Sequence, residues 1–311
     1  MRSLALSQTA LAVGVNLGAA GVFCLLRRFG IVRRRLLVLL TGIVLSSPLL
    51  ILPRGAGLLR FIIAAMAVQT AFRLYDLHAD PEAPRRPSCL AFIGYQFNPF
   101  AIVWRRVWAE PPKPVRNDLG RFLIGTSLGA VAIGLMVFVF HIDWARYPFV
   151  LEHCAKVISF LLVIQLLLNG LAAGYRLAGL TATDFAGNFF FSATPAEFWR
   201  RYNRPVEQFF YRYVFRPTGG LHRPLVATMA VFAFSAIVHE YIFDIAARRV
   251  LGYQMAFFLI HGVASTLTLR VRPKGLARLP AILLNTGFNL ATAYLFFMSM
   301  NAFVPFYAPR I

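Results

Sequence analysis

One apolar stretch holds the residues best suited to chemistry. Within LVATMAVFAFSAIVHEYIF, residues 225–243, stand Ser235, His239 and Glu240, with Asp244 at its edge. Of the twelve acidic residues, Glu240 and Asp244 are read as those that fall in or beside an apolar span. Ionisable groups in a bilayer are costly to desolvate, so they mark positions that face a cavity or a partner. The simpler alternative is a histidine hydrogen-bonded between helices. Ser235 and His239 are four residues apart and share a helix face, whereas Glu240 points roughly 100° away. A Ser–His nucleophile pair is therefore geometrically possible, while a serine there serves close helix packing equally well. Glu240 and Asp244 also share a face. They suit pairing with Arg248 or lining a wet vestibule; no further ligands accompany them, so no metal site is expected.

A second group lies in the 178–224 loop, where twelve aromatics between Phe185 and Phe215 are interleaved with Arg200, Arg201, Arg204, Arg212 and Arg216. Guanidinium groups hold phosphate through paired hydrogen bonds, or they orient the chain and meet anionic lipid. His261 sits mid-span, a helix-packing or cavity-lining position. Gln165, Asn169, Asn285 and Asn289 read as interhelical hydrogen-bonding residues.

The elements that must position these residues follow from composition. The 311 residues are 59% hydrophobic and 14% charged, with a mean hydropathy of +0.65. Soluble domains are nearer half apolar and a quarter charged, and disordered chains are poor in aromatics. Cys24, Cys89 and Cys154 have no C-x-x-C spacing, which excludes a disulfide scaffold and a zinc ribbon. Eight spans of roughly bilayer length are expected at 4–26, 36–52, 58–74, 122–140, 157–177, 225–243, 251–269 and 282–300. The expected fold is an all-α, polytopic helical membrane protein, one domain over 1–311, with interfacial or re-entrant helices besides. Residues 90–104, a short apolar run broken by Pro99, suit a re-entrant segment, and the proline-rich 75–121 loop reads as a rigid excursion. The aromatic loop should fold back toward the membrane as short helices broken at Pro195 and Pro205, the latter suited to a first helical position.

The net charge of +20 sits between the spans, so it reads as topology and no nucleic-acid partner is expected. Alternate sides carry 24 and 8 basic residues, which places the long loops in the cytoplasm and both termini outside. Arginine outnumbers lysine 29 to 3, a bias of GC-rich genomes that points to a bacterial inner membrane.

Three runs together carry a resemblance. They are Glu197-Phe198-Trp199-Arg200-Arg201-Tyr202-Asn203-Arg204-Pro205, then Tyr213-Val214-Phe215-Arg216-Pro217, then Phe234-Ser235-Ala236-Ile237-Val238-His239-Glu240. In this order they resemble the membrane-bound O-acyltransferase family, most closely its wax synthase-like branch. The later Phe258-Leu259-Ile260-His261-Gly262-Val263 also looks like that branch, so the likeness covers about 185–265. Tyr202 stands where a tryptophan is common, and Phe185-Ala186-Gly187-Asn188-Phe189-Phe190-Phe191 keeps little of the FYxDWWN-like motif of the diacylglycerol and sterol enzymes.

The resemblance implies a multi-helix enzyme that takes acyl-CoA from the cytoplasm as substrate, with no cofactor. Its acceptor is a lipophilic alcohol reached through the membrane, and membrane lipids are its other partners. It implies Asn203 and His239 as the catalytic positions. Trp199, Arg200, Arg201, Tyr202, Arg204, Glu240 and His261 are the expected substrate-binding residues. The chemistry agrees: acyl transfer to a hydroxyl needs a base, and burial keeps a histidine neutral. It also needs a donor toward the developing oxyanion, which an asparagine amide supplies. Transfer of short acyl groups to a terpenoid, glycolipid or other secondary metabolite is the alternative within this chemistry. A proton-coupled transporter with a His239/Glu240/Asp244 relay is the alternative outside it, although transporters usually show two related halves and no repeat is visible here. A non-catalytic membrane protein is disfavoured by the ionisable cluster and the conjunction of motifs.

Overall fold

A computed structural model describes residues 2–81, 83, 88–104 and 117–309. Residues 82, 84–87 and 105–116 of the proline-rich excursion lie outside them, as does the expectation of its rigidity. The described chain is helical with no strand. Helices α1 (Arg2–Arg28), α2 (Arg34–Ile51) and α3 (Gly57–Ala79) pack together, as do α5 (Asp118–His141) and α6 (Phe149–Leu177). Between the two groups lies α4 (Cys89–Gln96). The aromatic loop contains α7 (Pro195–Arg201) and α8 (Arg204–Phe210), and α9 (Pro224–Ala247), α10 (Tyr253–Thr268) and α11 (Arg278–Asn301) complete the chain.

Among the described residues, seven helices are long and apolar enough to cross a membrane: α1, α2, α3, α5, α6, α9 and α11. The remaining expected span, 251–269, is α10, and its 16 residues reach only about 24 Å at 1.5 Å per residue. It packs against α9 after a tight turn through Gly252, whose φ of 76° suits glycine.

Two spans are longer than hydropathy implied, which corrects the reading of the acidic residues. Helix α3 continues through Asp76 and α6 begins before Glu152, and both carboxylates are fully buried. A hydropathy window stops at the first charge, but a paired charge can be carried inside. Glu152 accepts from Lys156 one turn on, at 2.7 Å. Asp76 accepts from the hydroxyls of Tyr95 (2.9 Å) and Tyr213 (2.7 Å) and from the Trp104 amide (2.6 Å).

Those bonds to Asp76 anchor the re-entrant segment. Helix α4 has eight residues, too few to cross, and the irregular chain from Phe100 to Trp104 is buried. Arg73 donates to the Asn98 carbonyl and Asn98 to that of Thr181. Irregular backbone at membrane depth is tolerated where protein buries it. The α5–α6 contact depends on small residues, since a Cβ on Gly125 would stand 2.7 Å from the Gly170 Cα.

Candidate active site

His239 projects from α9, a helix whose far end is held by Arg60 of α3. Arg60 donates to the carbonyls of Ile245 (3.0 Å) and Ala246 (2.7 Å), two of the orphan acceptors of the last turn. On α9 itself, the His239 Nδ1 lies 2.8 Å from the Ser235 carbonyl and 3.4 Å from its hydroxyl. A carbonyl only accepts, so Nδ1 bears the proton and Nε2 is the basic nitrogen. The ring packs on Phe258 at 4.2 Å, which fixes its plane.

Asn203 forms the corner between α7 and α8. Its backbone is left-handed (φ 48°, ψ 54°), a conformation asparagine tolerates better than most residues. Its carbonyl starts α8 by accepting from Val206 and Glu207, while Arg204 donates to Phe185 and Gly187 to Arg201. The backbone of the corner is thus pinned to the preceding loop. No hydrogen bond to the described residues holds the Asn203 amide, which lines the cavity described below. Thr194 caps α7 by accepting from Glu197, and Glu197 reaches back to the Ala193 amide, a variant of the capping box.

The aromatic wall of the loop comes from Trp199 and Tyr202. Trp199 donates its indole N–H to His261 Nδ1 at 2.9 Å, and His261 Nε2 meets the Thr292 hydroxyl at 2.8 Å. Indole nitrogen is donor only, so Nδ1 accepts and Nε2 carries the proton. Both ring nitrogens of His261 are therefore engaged in positioning Trp199. Tyr202 stacks on Phe198 at 5.5 Å, and burial pushes its phenol up to about 12, so it stays neutral.

These residues enclose one cavity of about 900 Å³. Trp199, Arg200, Tyr202, Asn203, His239 and His261 all line it, joined by Ser235. Three of the expected residues are placed elsewhere, and each has a physical reason. Glu240 accepts from the amides of Gly252 and Met255 (2.8 Å) at the start of α10. Asp244 likewise accepts from the Leu251 amide at 2.9 Å. Both carboxylates thus bind the α9–α10 turn, and Glu240 is not among the residues that line the cavity. Arg201 pairs with Glu197 at 2.5 Å and donates to the Asn188 carbonyl. Arg204 is exposed and off the cavity wall.

Arg270 and Arg272 take the places expected for Arg201 and Arg204. Both line the cavity beside Arg200, whose guanidinium is pushed below its ordinary range by burial and by the neighbouring Arg272 charge. Closely spaced like charges give this end a positive potential. Their signal in the sequence was membership of the 270–278 basic segment, on the same side as Arg200. Ser265, Thr266 and Asn289 also line the cavity, and their buried side-chain oxygens lack a hydrogen-bond partner among the described residues. Such oxygens can accept from a ligand's N–H or O–H groups.

Residues 56–300 match the family model of MBOAT, the membrane-bound O-acyltransferase family. Among curated proteins, the chain is similar to Sterol O-acyltransferase 1 of Saccharomyces cerevisiae. The two are 32% identical over 124 residues, which is 38% of this chain and 20% of that protein. A family match over so much of the chain decides membership: it belongs to the membrane-bound O-acyltransferase family.

Proposed function

We propose that this member of the membrane-bound O-acyltransferase family moves an acyl group from acyl-CoA to the hydroxyl of a lipophilic acceptor, a long-chain alcohol, to give a wax ester. The observation that carries this reading is one cavity lined by a histidine with a basic Nε2, a free asparagine amide and a cluster of arginines. In the proposed reaction the acceptor hydroxyl gives its proton to His239 Nε2 as its oxygen attacks the thioester carbon. The Asn203 amide donates to the carbonyl oxygen as negative charge grows on it. Collapse of the tetrahedral intermediate breaks the C–S bond, and the departing thiolate takes the proton back from His239.

Arg200, Arg270 and Arg272 would hold the CoA phosphates, and the amides of the pantetheine arm would pass Ser265, Thr266 and Asn289. The aromatic wall would keep water from the thioester. The 24-to-8 charge split supports long loops facing the cytoplasm, the side from which CoA arrives, with both termini outside and the bacterial inner membrane as the setting.

A sterol hydroxyl is the second acceptor class, favoured by the similarity to Sterol O-acyltransferase 1; the missing FYxDWWN-like motif weighs against it. The test is release of free CoA by purified protein with a long-chain alcohol, a sterol or no acceptor. Alcohol-dependent release with formation of the matching ester is the expected result. Release that ignores every acceptor, or none at all, would overturn the proposal.

A further inference from the structure

The cavity has two unlike ends. At the arginine end, Arg270 and Arg272 are exposed and Leu225 is 55% exposed. At the other, Val157 is 1% and Phe297 is 3% exposed. One end is open and cationic, the other closed and apolar. A molecule with an anionic head and an apolar tail therefore has one way to lie, head among the arginines and tail toward Phe297.

The closed end is backed by a second layer of rings and a fastened backbone segment. Phe160 meets Phe297 edge-on at 5.3 Å, and Phe306 stacks behind Phe297 at 4.2 Å and 21°. Phe306 belongs to the segment after α11, which folds back and is fastened to α6. Lys156 donates to the Phe306 carbonyl at 2.6 Å and the Ala308 amide donates to Glu152 at 2.6 Å. Asn301 accepts from the amides of Phe306 and Tyr307. A buried ion pair is costly to desolvate and is poor evidence of stability alone. The Lys156–Glu152 pair instead spends its hydrogen bonds on this one backbone segment, the support for the ring behind the wall.

We infer that Phe160 and Phe297, backed by Phe306, form a fixed end stop that limits the length of the acyl chain the enzyme accepts. This rests on the proposed function, because it takes acyl-CoA as the molecule with the anionic head. Replacing Phe297 by alanine deepens the cavity, whereas replacing Val157 by phenylalanine shortens it. A methylene accepted or refused by an apolar pocket is worth about 10–200-fold in kcat/KM.

The test is kcat/KM over a series of saturated acyl-CoAs from eight to eighteen carbons, for wild type, Phe297→Ala and Val157→Phe. In Phe297→Ala, chains just longer than the wild-type optimum should gain about tenfold or more relative to that optimum. Val157→Phe should lose at least as much on the longest accepted chains while still turning over short ones, which also shows that it is folded. Active variants with a profile superimposable on that of the wild type would overturn the inference alone. A wild-type protein that releases CoA from no chain length would overturn the functional reading and this inference with it.

Discussion

His239 is oriented by its own helix: Nδ1–H donates to the Ser235 carbonyl, and the lone pair on Nε2 is what remains for chemistry. His239→Ala should therefore lower kcat by about 10²–10⁴-fold, the usual contribution of a positioned base, with acyl-CoA binding retained. Single-turnover acyl transfer, with membrane insertion checked separately, measures this, and a well-inserted, fully active His239→Ala would remove the mechanism. Ser235→Ala keeps the backbone carbonyl and should leave substantial activity; loss of all activity there would revive a covalent route through the serine. His239 and Asn203 were legible because their residue types are rare in such surroundings. Glu240, Arg201 and Arg204 fall outside the cavity wall, and sequence did not show this because a side chain spent on a backbone amide or a salt bridge, or turned to solvent, looks the same there as one turned to a cavity.

At the scale of elements, the α7–α8 corner couples a backbone conformation to a side-chain role. Asn203→Gly keeps a left-handed corner and loses the amide, so it should slow turnover by roughly 10²–10³-fold with thermal stability near wild type. Asn203→Ala loses the amide and adds about 1–2 kcal/mol of left-handed strain. A Gly variant as active as wild type would assign Asn203 to the turn alone. Glu197 offers a pH-dependent readout on the same element. Partial burial raises its carboxyl, but the Ala193 amide, Arg278 and Arg201 outweigh it and hold it below the ordinary range. A depressed carboxylate stabilises the fold above its unfolded pKa, about 4.3, and that contribution is lost as pH falls through the folded value. Glu197→Gln should therefore lower Tm near neutral pH and narrow its gap to wild type in acid; a gap independent of pH would refute the linkage. Element types and order were readable from hydropathy. Their ends were not, because Asp76 is carried inside by partners 19 to 137 residues away and Glu152 by the Ala308 amide as well as by Lys156.

At the scale of the whole molecule, topology depends on whether the 16-residue α10 crosses the membrane. Glu240 lies seven residues before the end of α9, about 10 Å back along the axis, yet it caps the start of α10 through Gly252 and Met255. The chain therefore descends along α9 before α10 begins. That depth plus the helix length, about 24 Å, matches a hydrocarbon core of about 30 Å. Backbone at such depth has no water to bind, and Glu240 and Asp244 supply acceptors for three of its amides. The acidic pair inside the span thus satisfies the backbone where α10 begins. Leu276, 99% exposed, and Val250, 84% exposed, lie beyond opposite ends of α10. Single cysteines at these sites, in a background without Cys24, Cys89 and Cys154, should react oppositely with an impermeant maleimide in intact cells. Val250→Cys should label directly and Leu276→Cys only after the membrane is opened, as the 24-to-8 charge split requires. Labelling of both from the same side would mean that α10 does not cross. The reverse pattern would keep the crossing but turn the arginine end of the cavity away from cytoplasmic CoA.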